Sequence, residues 1–321
     1  MSEDRFDLIT MGRVGVDLYP EQIGVRLAQV RTFAKSLGGS ATNVAVAAAR
    51  LGVRSAVITK VGDDPFGPYV REALDGFGVD ARFVGTHPTL RTPVVFCEIF
   101  PPDDFPLLFY REPKAPDMTL ATDEVDLVAI RAARVFWTTG TGLSDEPSRS
   151  ATLSALQARD DAAPKAITVH DLDHRPMFWR DESEAGVWAR EALRHATVAV
   201  GNRDEVEVAV GTRDPHEASA ALLELGVRIA IVKQGPAGVL VRTEEGVAEV
   251  PPVEIEVVNG LGAGDAFGGA LVYALLNGFE PTRAVRLANA AGAYVAARLA
   301  CADDMPTLPE LQSFAGEEVL A

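Results

Sequence analysis

Near its C-terminal end the chain reads Gly260-Leu261-Gly262-Ala263-Gly264-Asp265-Ala266-Phe267. The strand-like segment Glu254–Val258 precedes this stretch, and the apolar segment Ala263–Leu276 has the length and composition of a helix. Glycines before a helix permit a tight turn and leave the first backbone N–H groups of the helix free. These groups and the helix dipole together attract an anion. The stretch therefore predicts a strand–turn–helix unit with an anion site.

Asp265 lies at the edge of this predicted anion site. The turn is not a Walker loop, because no Lys-Ser or Lys-Thr follows the glycines. It is also a poor dinucleotide fingerprint, since Asp265 or Phe267 stands where the last glycine belongs. A carboxylate here is suited to take a proton from an attacking hydroxyl while the amides hold charge that develops on phosphate. The alternative is an Asp that caps a helix after a structural turn.

Strand-like and helix-like segments alternate through most of the chain. The predicted strands are Phe6–Met11, Ala56–Val61, Val135–Thr138, Ala166–His170, Thr197–Val200, Arg228–Lys233 and Gly238–Arg242. The predicted helices are Thr42–Leu51, Pro65–Phe77, Glu146–Arg159, Glu184–His195, His216–Leu225, Ala263–Leu276 and Pro281–Arg298. Such alternation implies a mostly parallel sheet with helices on both faces. We expect one three-layer α/β/α domain over residues 1–321.

Two regions interrupt the alternation, Val14–Phe33 and Arg91–Arg111. Both are rich in Pro and β-forming residues and have no helical period. We expect them to pair as a small antiparallel sheet, a lid formed by approximately residues 13–34 and 90–112. A cover over the strand ends suits an enzyme that must exclude water. The alternative is a pair of long decorated loops.

Composition excludes several classes of partner. The formal charge of −16 repels phosphate backbones, so we expect no nucleic acid and no anionic membrane surface among the partners. Cys97 and Cys301 have neither metal-site spacing nor a disulfide framework. The N-terminal stretch Met1–Asp7 is acidic without an apolar core, and the apolar stretch Ala266–Leu276 is too short to span a bilayer. We therefore expect a cytoplasmic protein.

A second glycine turn precedes the first long helix and reads Leu37-Gly38-Gly39-Ser40-Ala41-Thr42-Asn43. The glycines let a ligand approach the backbone, and Asn43 offers both a donor and an acceptor. Asp17 lies upstream, in Gly12-Arg13-Val14-Gly15-Val16-Asp17. Asp and Asn together suit the vicinal hydroxyls of a sugar. The alternative is a plain helix start.

Taken together, these segments resemble the ribokinase-like family of carbohydrate kinases, the phosphofructokinase B type. The stretches similar to its two signatures are Gly38–Ala45 and Gly262–Phe267. The stretches between them that resemble the family's Asn-x-x-Glu and Lys-x-Gly-x-x-Gly are Asn202–Glu205 and Lys233–Gly238. The four motifs stand in the family's order over nearly the whole chain. The resemblance implies a ribokinase-like fold and transfer of phosphate from ATP to a sugar hydroxyl.

The same resemblance implies a role for each matching residue. Catalysis is expected from Asp265 as base, with an anion hole formed by the amides of Gly262, Ala263 and Gly264. The expected contacts to sugar hydroxyls are Asp17, Gly39 and Asn43. The expected nucleotide-binding residues are Asn202, Lys233, Gly235, Gly238 and Asn289, the last of these beside adenine. Glu205 is expected to organise Mg²⁺, partly through water.

Two features concern ions and assembly. The family usually has Asp-Thr-Thr before its Gly-Ala-Gly-Asp, whereas this chain has Asn259-Gly260-Leu261. The resemblance therefore does not carry over the monovalent-cation site that many relatives build nearby. Many relatives pair through the lid, which implies a homodimer.

Two further segments concern the kind of sugar, Tyr110–Ala115 and His170–Trp179. The second follows a central strand, where α/β enzymes place their ligands. If the fold brings Arg111 and Arg175 to one cleft, they can grip a carboxylate through paired hydrogen bonds. The alternative is that both arginines are surface or ion-pair residues.

These two segments also resemble the branch of the family that acts on keto-deoxy sugar acids. The pattern Asp-x-Asp-x-Arg-Pro, which includes Asp173 as a substrate contact, is most similar to members that phosphorylate the C6 hydroxyl of 5-dehydro-2-deoxygluconate in inositol breakdown. Members that act on 2-dehydro-3-deoxygluconate more often carry Asn at this position. His174 stands where the resemblance implies Tyr.

Two other classes of function share parts of this pattern. A sugar or nucleotide sensor without catalysis would retain the fold, but the intact Gly-Ala-Gly-Asp argues against it. A dinucleotide-dependent oxidoreductase would share the sheet, but the failed fingerprint before Asp265 argues against that class.

Overall fold

The structure is a computed structural model that describes residues 5–160, 162 and 166–316. The first four residues of the acidic N-terminal stretch lie outside the described residues. The strands are β1 (Leu8–Met11), β2 (Gly15–Pro20), β3 (Phe33–Gly38), β4 (Ser55–Gly62), β5 (Val79–Asp80), β6 (Val84–His87), β7 (Val94–Cys97), β8 (Leu107–Tyr110), β9 (Val135–Thr139), β10 (Ile167–Asp171), β11 (Val198–Asn202), β12 (Ile229–Lys233), β13 (Val239–Thr243) and β14 (Gly246–Val250). The α-helices are α1 (Ser40–Arg50), α2 (Phe66–Gly76), α3 (Leu127–Ala132), α4 (Ser148–Asp160), α5 (Glu182–Leu193), α6 (Arg203–Val210), α7 (Pro215–Glu224), α8 (Ala263–Leu276), α9 (Pro281–Ala296) and α10 (Leu308–Ala315).

The main sheet has the strand order β14-β13-β12-β11-β10-β9-β1-β4-β5, and β6 also pairs with β4. Neighbouring strands from β12 to β5 run parallel, whereas β13 pairs antiparallel with both β12 and β14. The predicted mostly parallel sheet is therefore confirmed. Helices join the parallel strands because a parallel connection needs a long crossover.

Side chains that alternate along each strand supply two layers of core. Leu8 packs in the apolar core that includes residues of α1, α8 and α9, whereas Ile9 packs in the core that includes residues of α3 and α4. On β11, Val198 and Val200 join the first of these cores, and Ala199 faces α6 and α7. Successive residues of a strand point to opposite faces, so the period-2 pattern builds both layers at once. The predicted α/β/α sandwich is confirmed.

A separate small sheet has the strand order β3-β2-β7-β8. Its strands lie within or beside the two irregular regions of the sequence, so the predicted second sheet is confirmed. The expectation that it is antiparallel throughout is wrong, because β2 and β7 pair in parallel. Between these two strands the chain passes through α1, β4 and α2, a connection long enough to return in the same direction.

The predicted strand at Glu254–Val258 is also wrong. This segment is irregular, and the last strand before it, β14, ends at Val250. Pro251 and Pro252 follow directly, and each lacks the N–H that a sheet ladder requires. The amide of Val258 bonds instead to the carbonyl of Ala296 at the end of α9, at 2.9 Å.

Three neighbouring strands end at polar residues on one edge of the main sheet. The last residues of β10, β11 and β12 are Asp171, Asn202 and Lys233. The carboxyl edge of a parallel sheet is where α/β proteins bind ligands. None of the helices in the described part of the chain is long and apolar enough to cross a membrane.

Candidate active site

Asp265 lies in the first turn of α8, against the start of α1. Its carboxylate accepts hydrogen bonds from Ser40 Oγ and from Asn43 Nδ2, each at 2.9 Å. Ser40 and Asn43 belong to the other glycine turn, more than two hundred residues away in sequence. The fold therefore brings the two glycine turns together around one carboxylate.

The environment of Asp265 raises the pKa of its carboxyl above the ordinary value. Burial is the largest cause, because it disfavours the charged form. The hydrogen bond from Asn43 and the positive charge of Arg13 oppose this rise. A carboxylate with a raised pKa is a better proton acceptor than an ordinary Asp.

The start of α8 leaves its amides open to a ligand. Gly262 precedes the helix with φ of 82°, a left-handed conformation, and no side chain among the described residues caps the helix there. A Cβ at Gly262 would lie 2.1 Å from Cys301 Sγ, so the position has no room for a side chain. The N–H groups of Gly262, Ala263 and Gly264 thus remain available to an anion.

A cleft of about 400 Å³ opens beside Asp265. Its lining includes Arg13, Asp17, Gly39, Asn43, Arg175 and Gly262. Of the predicted sugar contacts, Asp17, Gly39 and Asn43 are therefore in one place, next to the carboxylate. The Tyr19 hydroxyl donates to Asp17 Oδ2 at 3.4 Å. Burial raises the pKa of Asp17 to about 6.

The two arginines predicted to grip a carboxylate lie in different surroundings. Arg175 lines the cleft of Asp265 and pairs through its Nε with Asp173 Oδ1 at 3.1 Å. Arg111 lines a neighbouring pocket and forms a buried ion pair with Asp117. Its guanidinium also lies 5.4 Å from the ring centre of Phe178.

Asp173 is buried between two arginines. Arg13 approaches Oδ2 at 3.5 Å, opposite the contact from Arg175, and Thr141 Oγ1 donates to Oδ2 at 3.0 Å. Burial would raise the pKa of Asp173, but the charges of Arg13 and Arg175 outweigh it, so the pKa lies below its ordinary value. Asp173 is therefore a carboxylate that orients positive groups at the cleft.

The predicted nucleotide side starts at the carboxyl ends of β11 and β12. Asn202 caps α6 by accepting from the amides of Asp204 and Glu205, and Glu205 Oε2 accepts from the amide of Asn202 at 2.6 Å. Lys233 lies beside the start of α8, since a Cβ at Gly264 would be 3.4 Å from its Nζ. Burial would lower the pKa of Lys233, but neighbouring carboxylates, Asp171 first, raise it overall.

Two of the other predicted nucleotide residues, Gly238 and Asn289, border the end of β14 and the proline that follows it. Gly238 packs against the carbonyl of Val250, and Asn289 Nδ2 donates to the carbonyl of Pro251 at 2.8 Å. Gly235 begins the short turn between β12 and β13 with φ of 57°. Gly238 and Asn289 therefore meet at the Val250–Pro251 segment, and Gly235 lies in the turn directly before Gly238.

The residues suit a nucleotide with Mg²⁺ held mainly through phosphates and water. Within residues 5–160, 162 and 166–316 there is no group of three or more His, Cys, Asp or Glu side chains placed to hold a metal ion. Mg²⁺ in kinases commonly uses one or two carboxylates together with substrate phosphates. Glu205 and the uncapped amides at the start of α8 fit such an arrangement.

Sequence reasoning did not assign roles to four residues at this site: Arg13, Ser40, Asp171 and Cys301. Arg13, Ser40 and Asp171 lie in stretches that were considered for another residue, and Cys301 was considered only as a metal ligand or disulfide partner, so none of the four positions carried a separate signal. Asp171 ends β10 and its pKa is raised to about 7 by burial, with Lys233 opposing the rise. Cys301 is a buried free thiol whose Sγ lies 3.8 Å from Asp265 Oδ2. Only the fold brings Arg13, Ser40 and Cys301 to the cleft.

A doubly covered parallel sheet, a small second sheet and a carboxylate at an open helix start define the ribokinase-like class of kinases. The chain belongs to the pfkB family of carbohydrate kinases, whose model matches residues 6–308. A 5-dehydro-2-deoxygluconokinase from Photobacterium profundum is 35% identical over 323 residues, covering 98% of this chain and 96% of its own. A protein of the same name from Clostridium perfringens is 30% identical and covers 98% of this chain and 94% of its own.

Solved structures agree with this assignment. A candidate ribokinase II from E. coli, in complex with ATP and Mg²⁺, is 25% identical with a TM-score of 0.86, covering 96% of this chain and 98% of its own. A fructokinase from Vibrio cholerae with bound fructose, ADP and potassium is 26% identical with a TM-score of 0.85, covering 98% of this chain and 100% of its own. The predicted family and fold are confirmed, and the protein is a carbohydrate kinase.

Proposed function

We propose that this protein transfers the γ-phosphate of ATP, bound with Mg²⁺, to the C6 hydroxyl of 5-dehydro-2-deoxygluconate in inositol breakdown. The observation that carries the proposal is the carboxylate of Asp265, held by Ser40 and Asn43 at the open start of α8. The curated relatives named 5-dehydro-2-deoxygluconokinase support the choice of sugar acid. We also propose that the protein acts in the cytoplasm.

In the proposed mechanism, Asp265 accepts the proton of the sugar hydroxyl while the oxygen of that hydroxyl attacks the γ-phosphorus of ATP. The bond from that phosphorus to the bridging oxygen of ADP breaks, so ADP leaves and the sugar phosphate forms. The amides of Gly262, Ala263 and Gly264 stabilise the charge on the transferred group. Mg²⁺ supplies further charge neutralisation when it is bound with the phosphates.

The remaining predicted residues position the two substrates. Asp17, Gly39 and Asn43 contact the sugar hydroxyls, and Asp173 and Arg175 lie at the acid end of the sugar. The proposed nucleotide surface comprises Asn202, Lys233, Gly235, Gly238 and Asn289, with Glu205 acting on Mg²⁺ through water. Arg111 stays a prediction from sequence as a second carboxylate contact.

An ADP-release assay with Mg-ATP tests the proposal. It compares 5-dehydro-2-deoxygluconate, 2-dehydro-3-deoxygluconate, ribose and fructose at equal concentrations. We expect the highest kcat/KM for the first sugar acid. Preference for the second would keep the kinase and its acid site but change the substrate, and turnover of the neutral sugars alone would refute an acid site.

A homodimer through the small sheet is part of this proposal. The outer face of that sheet carries a broad apolar groove lined by residues that include Leu18, Phe96, Leu108 and Tyr110. Leu108 and Tyr110 are 48% and 61% exposed. Exposed apolar patches of this kind mark association sites. Sedimentation velocity should show a species of twice the chain mass, and a monomer at micromolar concentration would contradict the proposal.

A further inference from the structure

The acid end of the cleft contains a second arginine, Arg13, which belongs to the connection between β1 and β2. Its Nε and that of Arg175 approach the two oxygens of Asp173, at 3.5 Å and 3.1 Å. Both Nε atoms are buried and have no well-aligned hydrogen-bond partner in the described part of the chain. Asp173 lies on the Nε side of each guanidinium, and both residues line the cleft. A guanidinium has four further N–H donors on its Nη atoms, and we infer that these serve a ligand in the cleft.

The backbone of Arg13 is held in place from two directions. Thr42 Oγ1 donates to the carbonyl of Arg13 at 3.1 Å, and the amide of Val14 donates to Asp117 Oδ2 at 3.0 Å. The Arg13 side chain is 11% exposed, and its guanidinium lies 5.9 Å from the ring centre of Phe109. A side chain ordered in advance loses little rotamer freedom when it binds a ligand.

Arg111 is less available to a ligand than Arg13. Its ion-pair partner is Asp117, the same carboxylate that accepts the amide of Val14. The Arg111–Asp117 pair is therefore a brace beside Arg13, with side-chain exposures of 10% and 2%. In this arrangement Arg13 and Arg175 face the cleft of Asp265 together.

The charges around the cleft make such a pair necessary for an acidic substrate. Three carboxyl groups lie in this region, those of Asp17, Asp173 and Asp265. The positive charge of Arg13 favours the ionised form of each and so lowers its pKa. A substrate carboxylate entering this cleft would meet like charges unless guanidinium groups face it. Guanidinium and carboxylate match as paired, charge-assisted hydrogen-bond partners.

We propose that Arg13, together with Arg175, binds the carboxylate of the sugar-acid substrate and so selects an acid over a neutral sugar. The inference rests on the proposed function, because it assumes that the substrate is an acid. It assigns substrate specificity to a residue outside the two signatures, in the turn that leads from the main sheet to the small sheet.

The test measures kcat and KM for wild type, Arg13→Gln and Arg13→Lys with two sugars. One is 5-dehydro-2-deoxygluconate, and the other is its analogue with the carboxylate reduced to a hydroxymethyl group. For Arg13→Gln we expect KM for the acid to rise about 10- to 100-fold, the loss of one or two charge-assisted hydrogen bonds. KM for the neutral analogue should change less than threefold, and Arg13→Lys should fall between wild type and Arg13→Gln.

The matched control is Arg26→Gln, which removes an arginine of the small-sheet region whose side chain is 61% exposed and pairs with Glu98. It makes the same change of charge outside the cleft, and its kinetics should equal those of wild type. Thermal melting of each variant verifies that the fold is retained, and Arg13→Lys keeps the test valid if Arg13→Gln unfolds.

Equal losses on the acid and the neutral analogue, or a fall in kcat with unchanged KM, would overturn the role of Arg13. Failure of the proposed function has a different signature. Wild type would then turn over neutral sugars and neither sugar acid.

Discussion

The two glycine turns lead into helices that begin alike and then differ in what they present. Gly39 precedes α1 with φ of 103°, and Gly262 precedes α8 with φ of 82°. Neither helix start has a side-chain cap within the described residues. The first turn of α1 carries the donors Ser40 and Asn43, whereas the first turn of α8 carries the acceptor Asp265.

This difference divides the work of the site between the two turns. The α8 turn contributes the carboxylate and the open amides, and in the proposed mechanism it acts on the reacting groups. The α1 turn holds that carboxylate in position and borders the cleft beside it through Gly39. Helix packing of α1 on α8 joins the two, and each turn is incomplete without the other.

The largest expected effect comes from removing the charge that distinguishes the α8 turn. Asp265→Asn should lower kcat by about 10²- to 10⁴-fold, the usual contribution of a positioned base, with ATP affinity unchanged. Steady-state kinetics and ATP titration measure both quantities. Asp75→Asn, on the exposed side of α2, is the matched control and should equal wild type. Near-full activity of Asp265→Asn would refute the mechanism.

An intermediate effect comes from placing the same substitution in both turns. A Cβ would lie 2.1 Å from Cys301 Sγ at Gly262 and 2.4 Å from the Arg13 carbonyl at Gly39. Gly262→Ala should mainly lower kcat, because it displaces the anion-binding amides. Gly39→Ala should mainly raise KM for the sugar. Each should lose at least about 1–2 kcal/mol of unfolding free energy, the cost of a left-handed non-glycine residue.

Gly278→Ala separates this backbone cost from crowding. Gly278 follows α8 with φ of 74°, and a Cβ there would meet no described atom within 4 Å. It should lose stability in urea unfolding without a change in kcat or KM. If Gly262→Ala and Gly39→Ala gave the same kinetic pattern, the division between the two turns would be wrong.

The smallest expected effect concerns the donors of the α1 turn. Asp265 must be ionised to accept a proton, so activity should fall as the pH drops through its raised pKa. The hydrogen bond from Asn43 lowers that pKa, so Asn43→Ala should move the acid limb of the profile of kcat against pH to higher pH. Ser40→Ala should move it in the same direction by less.

The exposed Ser150→Ala on α4 is the control for these two variants and should leave the pH profile unchanged. Movement of the acid limb to lower pH in Asn43→Ala would contradict the assigned hydrogen bond. Equal shifts in all three variants would point to a general loss of stability.

Much of this architecture is readable from local sequence. The helix predicted at Ala263–Leu276 is found with the same bounds, and β12 and β13 lie within one residue of their predicted ends. Such segments have a strong hydrophobic period, and nearby glycines mark where they begin or end, so the local sequence is enough to predict them. The strand predicted at Glu254–Val258 failed because β-forming side chains say nothing about whether a partner strand is free to pair.

Local sequence patterns do not predict which distant segments of the chain pair with each other. The parallel contact of β2 with β7 depends on how α1, β4 and α2 route the chain between them. The partner of Arg111 illustrates the same limit for side chains. The ion pair of Arg111 with Asp117 depends on how the 111–117 segment packs, which the local sequence does not specify.

The amino-acid sequence alone predicted a carbohydrate kinase of the pfkB family, because four short motifs resemble those of the family and stand in its order along the chain. The folded chain adds which groups meet across it: Ser40 and Asn43 at Asp265, Lys233 beside Gly264, and Arg13 beside Asp173. These contacts join residues from separate elements, and their energies depend on burial and distance that no local pattern contains.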